Sequence, residues 1–251
     1  MITLAELLAY LQETLQVPLF DDYCINGLQV EGKANIKKIA TAVSASLETI
    51  EEAAACQADL LLVHHGLFWK GDSHVISGTK KKKLELLFSH NISLLGFHLP
   101  LDAHREWGNN WGAALELGWE ELEPFGIFGK QSIGVKGRVE AIDREAFISI
   151  LEGYYQHKAH AVLAGPQTIR TVGLISGGAH KSIQEAISQG VDAYITGSFD
   201  EPIWNIAKEE KINFFALGHA NTEKIGPRRL GEHLAAVYPI QHANLDLHNP
   251  F

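Results

Sequence analysis

The sequence predicts an α/β fold made of two similar lobes, each with a mixed sheet flanked by helices. Apolar segments of strand length alternate with segments of helical periodicity along most of the 251 residues, which is the pattern of strand–helix–strand units. One such unit recurs later in the chain, so we interpret the lobes as products of an internal duplication. Residues 107–130 hold several glycines and Pro124, and we predict that this stretch crosses from one lobe to the other.

The first lobe is predicted to open with a helix. Thr3 and Glu6 form a capping-box pattern ahead of leucines at helical spacing, and Pro18 ends the helix. Residues 22–30 are predicted to form a turn that opens into a strand. Further apolar runs and helical spacings predict strands at 36–43, 59–63 and 92–97, and helices at 47–56 and 83–89.

The second lobe is predicted to repeat this alternation after the crossing. Its predicted elements are strands at 132–139 and 159–163, helices at 144–155 and 228–236, and an edge strand before Asn249-Pro250. We therefore place the first lobe at 1–125, with His64, His65 and Asp102, and the second at 126–251, with His219 and Glu223. The C-terminal segment is predicted to pack back on the first lobe.

The duplication is predicted from two ungapped correspondences. Positions 36 and 169, 50 and 183, and 59 and 192 pair residues of the same type or character at a constant separation of 133. His98-x-x-x-Asp102 matches His219-x-x-x-Glu223 at a separation of 121. Chance is the competing explanation, because α/β units have similar sequence patterns whether or not they are homologous. Two matches in the same order nevertheless favour duplication. We expect a site in the crevice between the lobes, where open α/β sheets bind ligands.

Charge and cysteine content exclude several function classes. The chain has 21 Lys and Arg against 30 Asp and Glu, a formal net charge of -9, which disfavours binding to nucleic acid or anionic membranes. The block Lys80 to Lys83 is interpreted as the solvated start of a helix. Two cysteines, Cys24 and Cys56, are too few for a disulfide scaffold or a thiolate zinc site. With neither a signal-peptide pattern nor a membrane-length apolar run, the protein is predicted to be cytoplasmic.

Histidines and carboxylates at the ends of predicted strands are the candidate metal ligands. His64 and His65 follow a buried strand, and Gly66 gives the backbone freedom to turn there. The later motifs add Asp102, His219 and Glu223, with His98 as a sixth candidate. Alone, each has an ordinary structural role open to it, such as a core histidine or a helix N-cap. Five such ligands exceed the needs of one tetrahedral zinc and suit two metals that share a bridging carboxylate, with water in the open positions.

Other motifs give weaker signals. The chain has no His-Glu-x-x-His motif, no phosphate-binding glycine loop and no nucleophile elbow. Residues 176–178 (Ser-Gly-Gly) could cradle an anion through backbone N–H groups, although a tight turn is the favoured interpretation. Phe68 and Trp69 could shield or stack on a substrate base, or they could serve as core or oligomer contacts.

Taken together, these motifs resemble the YbgI-like dinuclear metal-binding proteins, the type 2 homologues of GTP cyclohydrolase I, in their short form. The resemblance covers nearly the whole chain, and the segments that carry it are 26–32, 64–71, 98–104, 192–197, 218–223 and 249–250. It implies metal ligands at His64, His65, Asp102, His219 and Glu223, two α/β lobes, and a ring-shaped homohexamer with metal sites facing an internal cavity. One departure is Ser198, where relatives usually carry an acidic residue after the glycine.

The resemblance implies that the protein is a metal-dependent hydrolase that acts on a nucleotide-like substrate. Two divalent ions would activate water, and attack at the imidazole-ring carbon of GTP is the implied reaction. His98 or His104 could shuttle protons. The metal is left open among iron, zinc, manganese and nickel. The alternative is a non-catalytic protein for metal storage, metal delivery or regulatory interaction, and DNA association through a hexamer's hole is a weaker option that the net charge of -9 disfavours.

Overall fold

The computed structural model describes all residues, 1–251, and divides into two compact units. Unit one comprises Met1–Leu101 and Gly226–Leu247, and unit two comprises Asp102–Ile225 and His248–Phe251. Both contain helices and a mixed sheet, which confirms the predicted fold class. None of the helices combines the length and apolar character needed to cross a lipid bilayer.

Unit one is built around a five-stranded sheet. Its elements are β1 (Ile2–Thr3), α1 (Leu4–Thr14), β2 (Gly27–Val30), β3 (Asn35–Ile36), β4 (Lys38–Ser44), α2 (Leu47–Ala55), β5 (Leu60–His65), α3 (Gly78–Ser89) and β6 (Ser93–Gly96), and the chain returns to it with α10 (Ile225–Val237) and β13 (Gln241–Asn244). The strand order is β13-β4-β5-β6-β2, and all neighbours are parallel except β2 and β6. The short helix α4 (Leu99–Ala103) contains the division between the units.

Local sequence explains where these elements begin. The capping box at Thr3 and Glu6 forms as predicted, and Ser46 caps α2 through the amide of Thr49. The four residues 60–63 of β5 are fully buried, as expected for a central strand of a sheet covered on both faces. Helix α3 starts at Gly78, five residues before the predicted start, so the lysine block lies within its first two turns.

Unit two is built around a six-stranded sheet. Its elements are α5 (Asn109–Glu116), β7 (Glu120–Phe128), β8 (Gln131–Asp143), α6 (Arg144–Tyr155), β9 (His160–Leu163), β10 (Thr168–Leu174), α7 (Ile183–Ser188), β11 (Ala193–Thr196), α8 (Pro202–Glu209), β12 (Asn213–Ala216) and α9 (His219–Thr222). The order is β7-β8-β10-β11-β12-β9, with β10, β11 and β12 parallel and the other pairs antiparallel.

Residues 107–130 were predicted to cross from one lobe to the other, but they lie within unit two. They form α5 and β7, and β7 pairs with β8 as a hairpin whose turn holds Gly129 at φ 61°. Gly129 therefore serves a tight turn within one sheet, whereas Gly108 caps α5 and Gly112 lies inside it. For the same reason the observed division differs from the predicted boundary after residue 125, and Asp102 falls in unit two.

The two units repeat one local arrangement. In unit one, Asp59 Oδ2 accepts the amides of residues 37 and 38 at 2.8 and 3.0 Å. In unit two, Asp192 Oδ2 accepts the amides of residues 170 and 171 at 2.8 and 2.9 Å, and these positions lie 133 further along the chain. The parallel registers also agree, since Ile39 pairs with Leu60 and Val172 pairs with Ala193. These matches support the duplication.

Candidate metal centre

In unit one, the adjacent histidines end strand β5. The strand runs through His65, two residues beyond its predicted end, so His64 is fully buried while His65 is half-buried. His64 Nδ1 lies 3.0 Å from the carbonyl oxygen of Phe97. A carbonyl only accepts hydrogen bonds, so Nδ1 carries the proton and Nε2 carries the lone pair. His65 Nδ1 lies 3.0 Å from Ser44 Oγ, at the end of the neighbouring strand β4.

His98 follows strand β6 and is held by Asp22. His98 Nδ1 lies 2.9 and 3.2 Å from the two oxygens of this buried carboxylate. Burial opposes ionisation of Asp22, but hydrogen bonding and charge interaction with His98, together with Asn26 and the Cys24 amide, lower its pKa to about 2. An ionised carboxylate only accepts, so His98 Nδ1 donates, and in the neutral ring Nε2 carries the lone pair.

Asp22 is a site residue that the sequence analysis missed. It lies in the predicted turn, 76 positions before its histidine, and only the fold brings the two together. The Asp-x-x-x-Asn spacing of Asp22 and Asn26 was the available signal, because Asx side chains stabilise turns through hydrogen bonds of this kind. Burial raises the pKa of the neighbouring Cys24 to about 11, so its thiol stays protonated at neutral pH and is a poor metal ligand.

The three imidazoles of unit one form a cluster. One ring nitrogen from each of His64, His65 and His98 lies within 4.8 Å of the others. Trp69 packs edge-on against His98, with ring centroids 5.3 Å apart, and its indole N–H donates to the carbonyl of Gly66 at 3.1 Å. Trp69 therefore borders the cluster, whereas Phe68 packs on the apolar core of unit one.

In unit two, Asp102 is buried and oriented by two donors. Asn109 Nδ2 and Ser176 Oγ donate to the same oxygen, Oδ1, at 2.8 and 3.1 Å. The Ser176 amide is bound to Asn110 Oδ1 at 2.7 Å, and the Gly177 amide to Thr222 Oγ1 at 2.9 Å. The first two amides of the suggested anion cradle therefore already have partners within the protein. Residues 176–178 instead form a turn whose Ser176 hydroxyl supports the Asp102 carboxylate.

His219 and Glu223 form a second group in unit two. His219 Nε2 lies 3.3 Å from Glu223 Oε1, and the glutamate is almost fully buried. Ser198 Oγ lies 3.3 Å from His219 Nδ1, so this hydroxyl is a hydrogen-bond partner of the ring. Gly177, at φ 66°, passes so close to Glu223 that a β-carbon there would collide with the carboxylate.

Residues 197 and 198 occupy the positions that match His64 and His65 at the separation of 133. A β-carbon on Gly197 would lie 2.6 Å from Thr222 Oγ1 and 2.7 Å from the Cα of His219. A histidine therefore does not fit at position 197, and the imidazole pair of His64 and His65 has no counterpart at the matching positions of unit two.

His104, the second predicted proton shuttle, has a different environment. Its Nδ1 accepts the amides of Glu106 and Trp107 at 3.3 and 3.2 Å, and its ring stacks on that of Trp107 with centroids 4.4 Å apart. In the neutral ring the proton consequently sits on Nε2. The structure does not test a catalytic role for His104, which stays a prediction, as does the joint binding of two ions by the five predicted ligands.

Ordered imidazoles in one α/β unit, and a histidine with buried carboxylates in another, define a candidate metal-binding protein of the α/β class. The chain belongs to the Duf34/NIF3 (NGG1p interacting factor 3) family, whose model matches residues 2–249. The family predicted from the motifs is thereby confirmed.

Relatives and solved structures are similar over the full length. Proteins named GTP cyclohydrolase 1 type 2 homolog are 51% identical in Chlamydia muridarum and 47% identical in Chlamydia pneumoniae, and each alignment covers 98% of this chain and 99% of the relative. The solved structure of protein ybgI, a protein of unknown function, is 36% identical with a TM-score of 0.94 and full coverage of both chains. TTHA1606 from Thermus thermophilus is 30% identical with a TM-score of 0.91, again with full coverage of both chains.

Proposed function

We propose that this protein is a dinuclear metal-dependent hydrolase that acts on a nucleotide-like substrate. In this proposal His64, His65, Asp102, His219 and Glu223 hold two divalent ions, drawn from iron, zinc, manganese or nickel. Support for joining the ligands of both units in one centre comes from the motif resemblance. Support for the substrate class comes from relatives named GTP cyclohydrolase 1 type 2 homolog.

The residues present fit a metal of this kind. The observation that carries the proposal is the cluster of His64, His65 and His98, with one nitrogen of each within 4.8 Å of the others. His64 donates its Nδ1–H to a backbone carbonyl, which is the partner that metal-binding histidines commonly have. Neutral imidazoles and carboxylates together suit borderline divalent ions, and Asp102 is oriented by donors to one oxygen in the way that ligating carboxylates are.

Bound divalent ions supply Lewis acidity and make water a nucleophile near neutral pH. The residues of this chain orient the ligands and move protons. Neutral His104 has its proton on Nε2, so it can donate to a leaving nitrogen and then accept a proton back. His98 presents a lone pair on Nε2, which suits either proton acceptance or metal binding.

The assembly is proposed by resemblance to be a ring-shaped homohexamer. With a formal charge of -9 per chain, the assembly is not expected to bind nucleic acid. Sedimentation velocity and a gel-shift assay test these two statements separately.

Metal reconstitution tests the proposed function. Tag-free apoprotein is loaded in turn with Fe²⁺, Zn²⁺, Mn²⁺ or Ni²⁺ and incubated with GTP and a panel of nucleotides and phosphoesters. Hydrolysis at the imidazole-ring carbon of GTP adds two waters, cleaves both C–N bonds and releases formate, which is measured directly. We expect turnover with at least one metal, and we expect Glu223→Gln and His64→Ala to abolish it. His90→Ala is the control and should retain turnover, because His90 is an exposed residue at the C-terminal end of α3.

Binding without turnover would favour the alternative function. Two tightly bound ions per chain, with no reaction of any substrate on the panel, would contradict the hydrolase and support metal storage or delivery. A protein that binds no divalent ion would contradict both functions.

A further inference from the structure

Phe199 presents an aromatic ring to solvent on the loop that follows strand β11 in unit two. Half of its surface is exposed, although it is a large apolar residue. It comes directly after Ser198, whose Oγ lies 3.3 Å from His219 Nδ1. The loop leaves the sheet at the carboxyl end of a parallel strand, which is where open α/β sheets bind ligands. The exposed ring therefore stands at the edge of the sheet that also carries His219.

His160 supports the ring of Phe199. The two ring centroids are 4.5 Å apart, with 34° between the ring planes. His160 begins β9 and pairs with Ala216 of β12, three positions before His219. Both rings consequently lie at the same end of the sheet as His219, and the imidazole covers only part of the phenyl ring.

The loop that carries this ring is tied on both sides to the turn after β10. The amides of Gly197 and Ser198 donate to the carbonyl oxygen of Gly177 at 2.9 and 3.0 Å. On the other side, Asp200 Oδ2 lies 3.3 Å from His180 Nε2. These contacts hold the loop in place before any ligand arrives, so stacking on the ring costs little conformational entropy.

Two other exposed aromatic residues have different settings. Trp204, in α8, is exposed, but Lys208 Nζ lies over its ring at 5.3 Å from the centroid, so a residue of the same helix covers part of it. Phe88 is exposed near the end of α3 and belongs to unit one. Phe199 differs from both because its neighbour in the chain contacts a candidate metal ligand.

We propose that Phe199 is a substrate-binding residue whose ring stacks on the planar base of a nucleotide held at the metal centre. The inference rests on the proposed function, which supplies a substrate with a base. Every nucleobase has a π-face, so a phenyl ring binds bases by stacking without reading their hydrogen-bonding edges. Phe199 thus favours base-bearing substrates over sugar phosphates and phosphoesters without a ring, and it does not by itself select guanine.

Binding of an unreactive nucleotide tests the stacking role without turnover. In 7-deaza-GTP a carbon replaces N7 of guanine, so hydrolysis of the imidazole ring is blocked. Isothermal titration calorimetry with the metal-loaded protein measures its affinity. We expect Phe199→Ala to weaken this affinity by roughly 5–150-fold, the loss that removal of one base–aromatic stack causes. Inorganic tripolyphosphate, which has no base, should bind the wild type and Phe199→Ala equally.

Three further variants separate stacking from other roles of the side chain. Phe199→Trp keeps an aromatic ring and should retain affinity for 7-deaza-GTP, whereas Phe199→Leu keeps only an apolar side chain and should lose most of it. Phe88→Ala is the matched control, because it removes an exposed phenyl ring from α3 and should bind as the wild type does.

Four results would overturn the proposal. They are unchanged affinity of Phe199→Ala, an equal loss for tripolyphosphate, no binding of 7-deaza-GTP to the wild type, and an altered sedimentation coefficient of Phe199→Ala, which would make the ring a contact between copies of the chain. Failure of the proposed function has a separate signature. A wild type that binds 7-deaza-GTP through Phe199 but releases no formate from GTP with any metal would contradict the hydrolase and support the stacking role.

Discussion

Gly177 approaches Glu223 so closely that residue 177 has no room for a β-carbon, since that atom would overlap Glu223 Oε1. The backbone at this glycine also has φ 66°, which L-residues rarely adopt. The turn that follows strand β10 thereby sets the position of a predicted metal ligand.

Gly177→Ala should destabilise unit two. Left-handed backbone strain costs of order 1–3 kcal/mol, and the collision with Glu223 adds to it, so we expect the free energy of unfolding in urea to fall by at least about 1 kcal/mol. Gly153→Ala is the matched control, because Gly153 lies within helix α6 with open space around its Cα and should gain about 1 kcal/mol from helix propensity. Equal effects of the two substitutions would contradict the close approach.

Ser176→Ala should weaken metal binding. The substitution removes one of the two hydrogen bonds to Asp102 Oδ1, and loss of a partner that orients a ligand typically costs 10–100-fold in affinity. The measurement is chelator competition with Zn²⁺. Ser188→Ala, which removes a hydroxyl bonded to a helical carbonyl on α7, serves as the control and should bind as the wild type does. An unchanged Ser176→Ala affinity would show that Ser176 does not orient a ligand.

Asp59 should make stability depend on pH in acid. Burial opposes its ionisation, but Lys33 and the amides of Lys37 and Lys38 outweigh it and hold the pKa below the ordinary value of 3.8. A group whose pKa is lowered on folding stabilises above its unfolded pKa, and this contribution is lost as the pH falls through the folded pKa. The stability difference between wild type and Asp59→Asn should therefore be constant above about pH 5 and shrink below pH 4.

Urea unfolding between pH 3 and pH 7 measures this difference. Glu210→Gln, on the exposed end of α8, is the control and should show little difference from wild type at any pH. A difference that grows as the pH falls would have the wrong sign for the contacts of Asp59.

His104→Gln should lower turnover while leaving the metal content unchanged. Glutamine can still accept the amides of Glu106 and Trp107 but cannot exchange a proton, and general acid–base groups contribute typically 10²–10⁴-fold. Formate release from GTP and elemental analysis on the same preparation separate the two effects. A variant that loses metal along with activity would point to a structural role for His104.

Local signals in the sequence predicted the regular elements well. The Thr3–Glu6 capping box and the apolar run at residues 60–63 depend on neighbours in the chain, and both predicted elements form. The glycine-rich segment before β8 was misassigned, because glycines of a hairpin turn and of a linker look alike until the strand partner is known.

The supporting residues of the site were harder to predict than the candidate ligands. His64, His65 and Asp102 stand in motifs after strands, which sequence reasoning detects. Asp22 is 76 positions from His98, and Ser176 is 74 positions from Asp102, so these pairs exist only through the fold. The Asp-x-x-x-Asn spacing of Asp22 and Asn26 indicates a turn but not its distant partner, and short polar side chains such as that of Ser176 are common in any turn.

The central claim is that His64, His65, Asp102, His219 and Glu223 bind two divalent ions. Anomalous difference maps from crystals of the zinc-loaded protein, recorded on both sides of the zinc absorption edge, test it most directly. We predict two peaks per chain, each bonded at about 2.0–2.2 Å to side chains of this set. A map with no peak beside these residues, or with zinc bound elsewhere on the chain, would contradict the account.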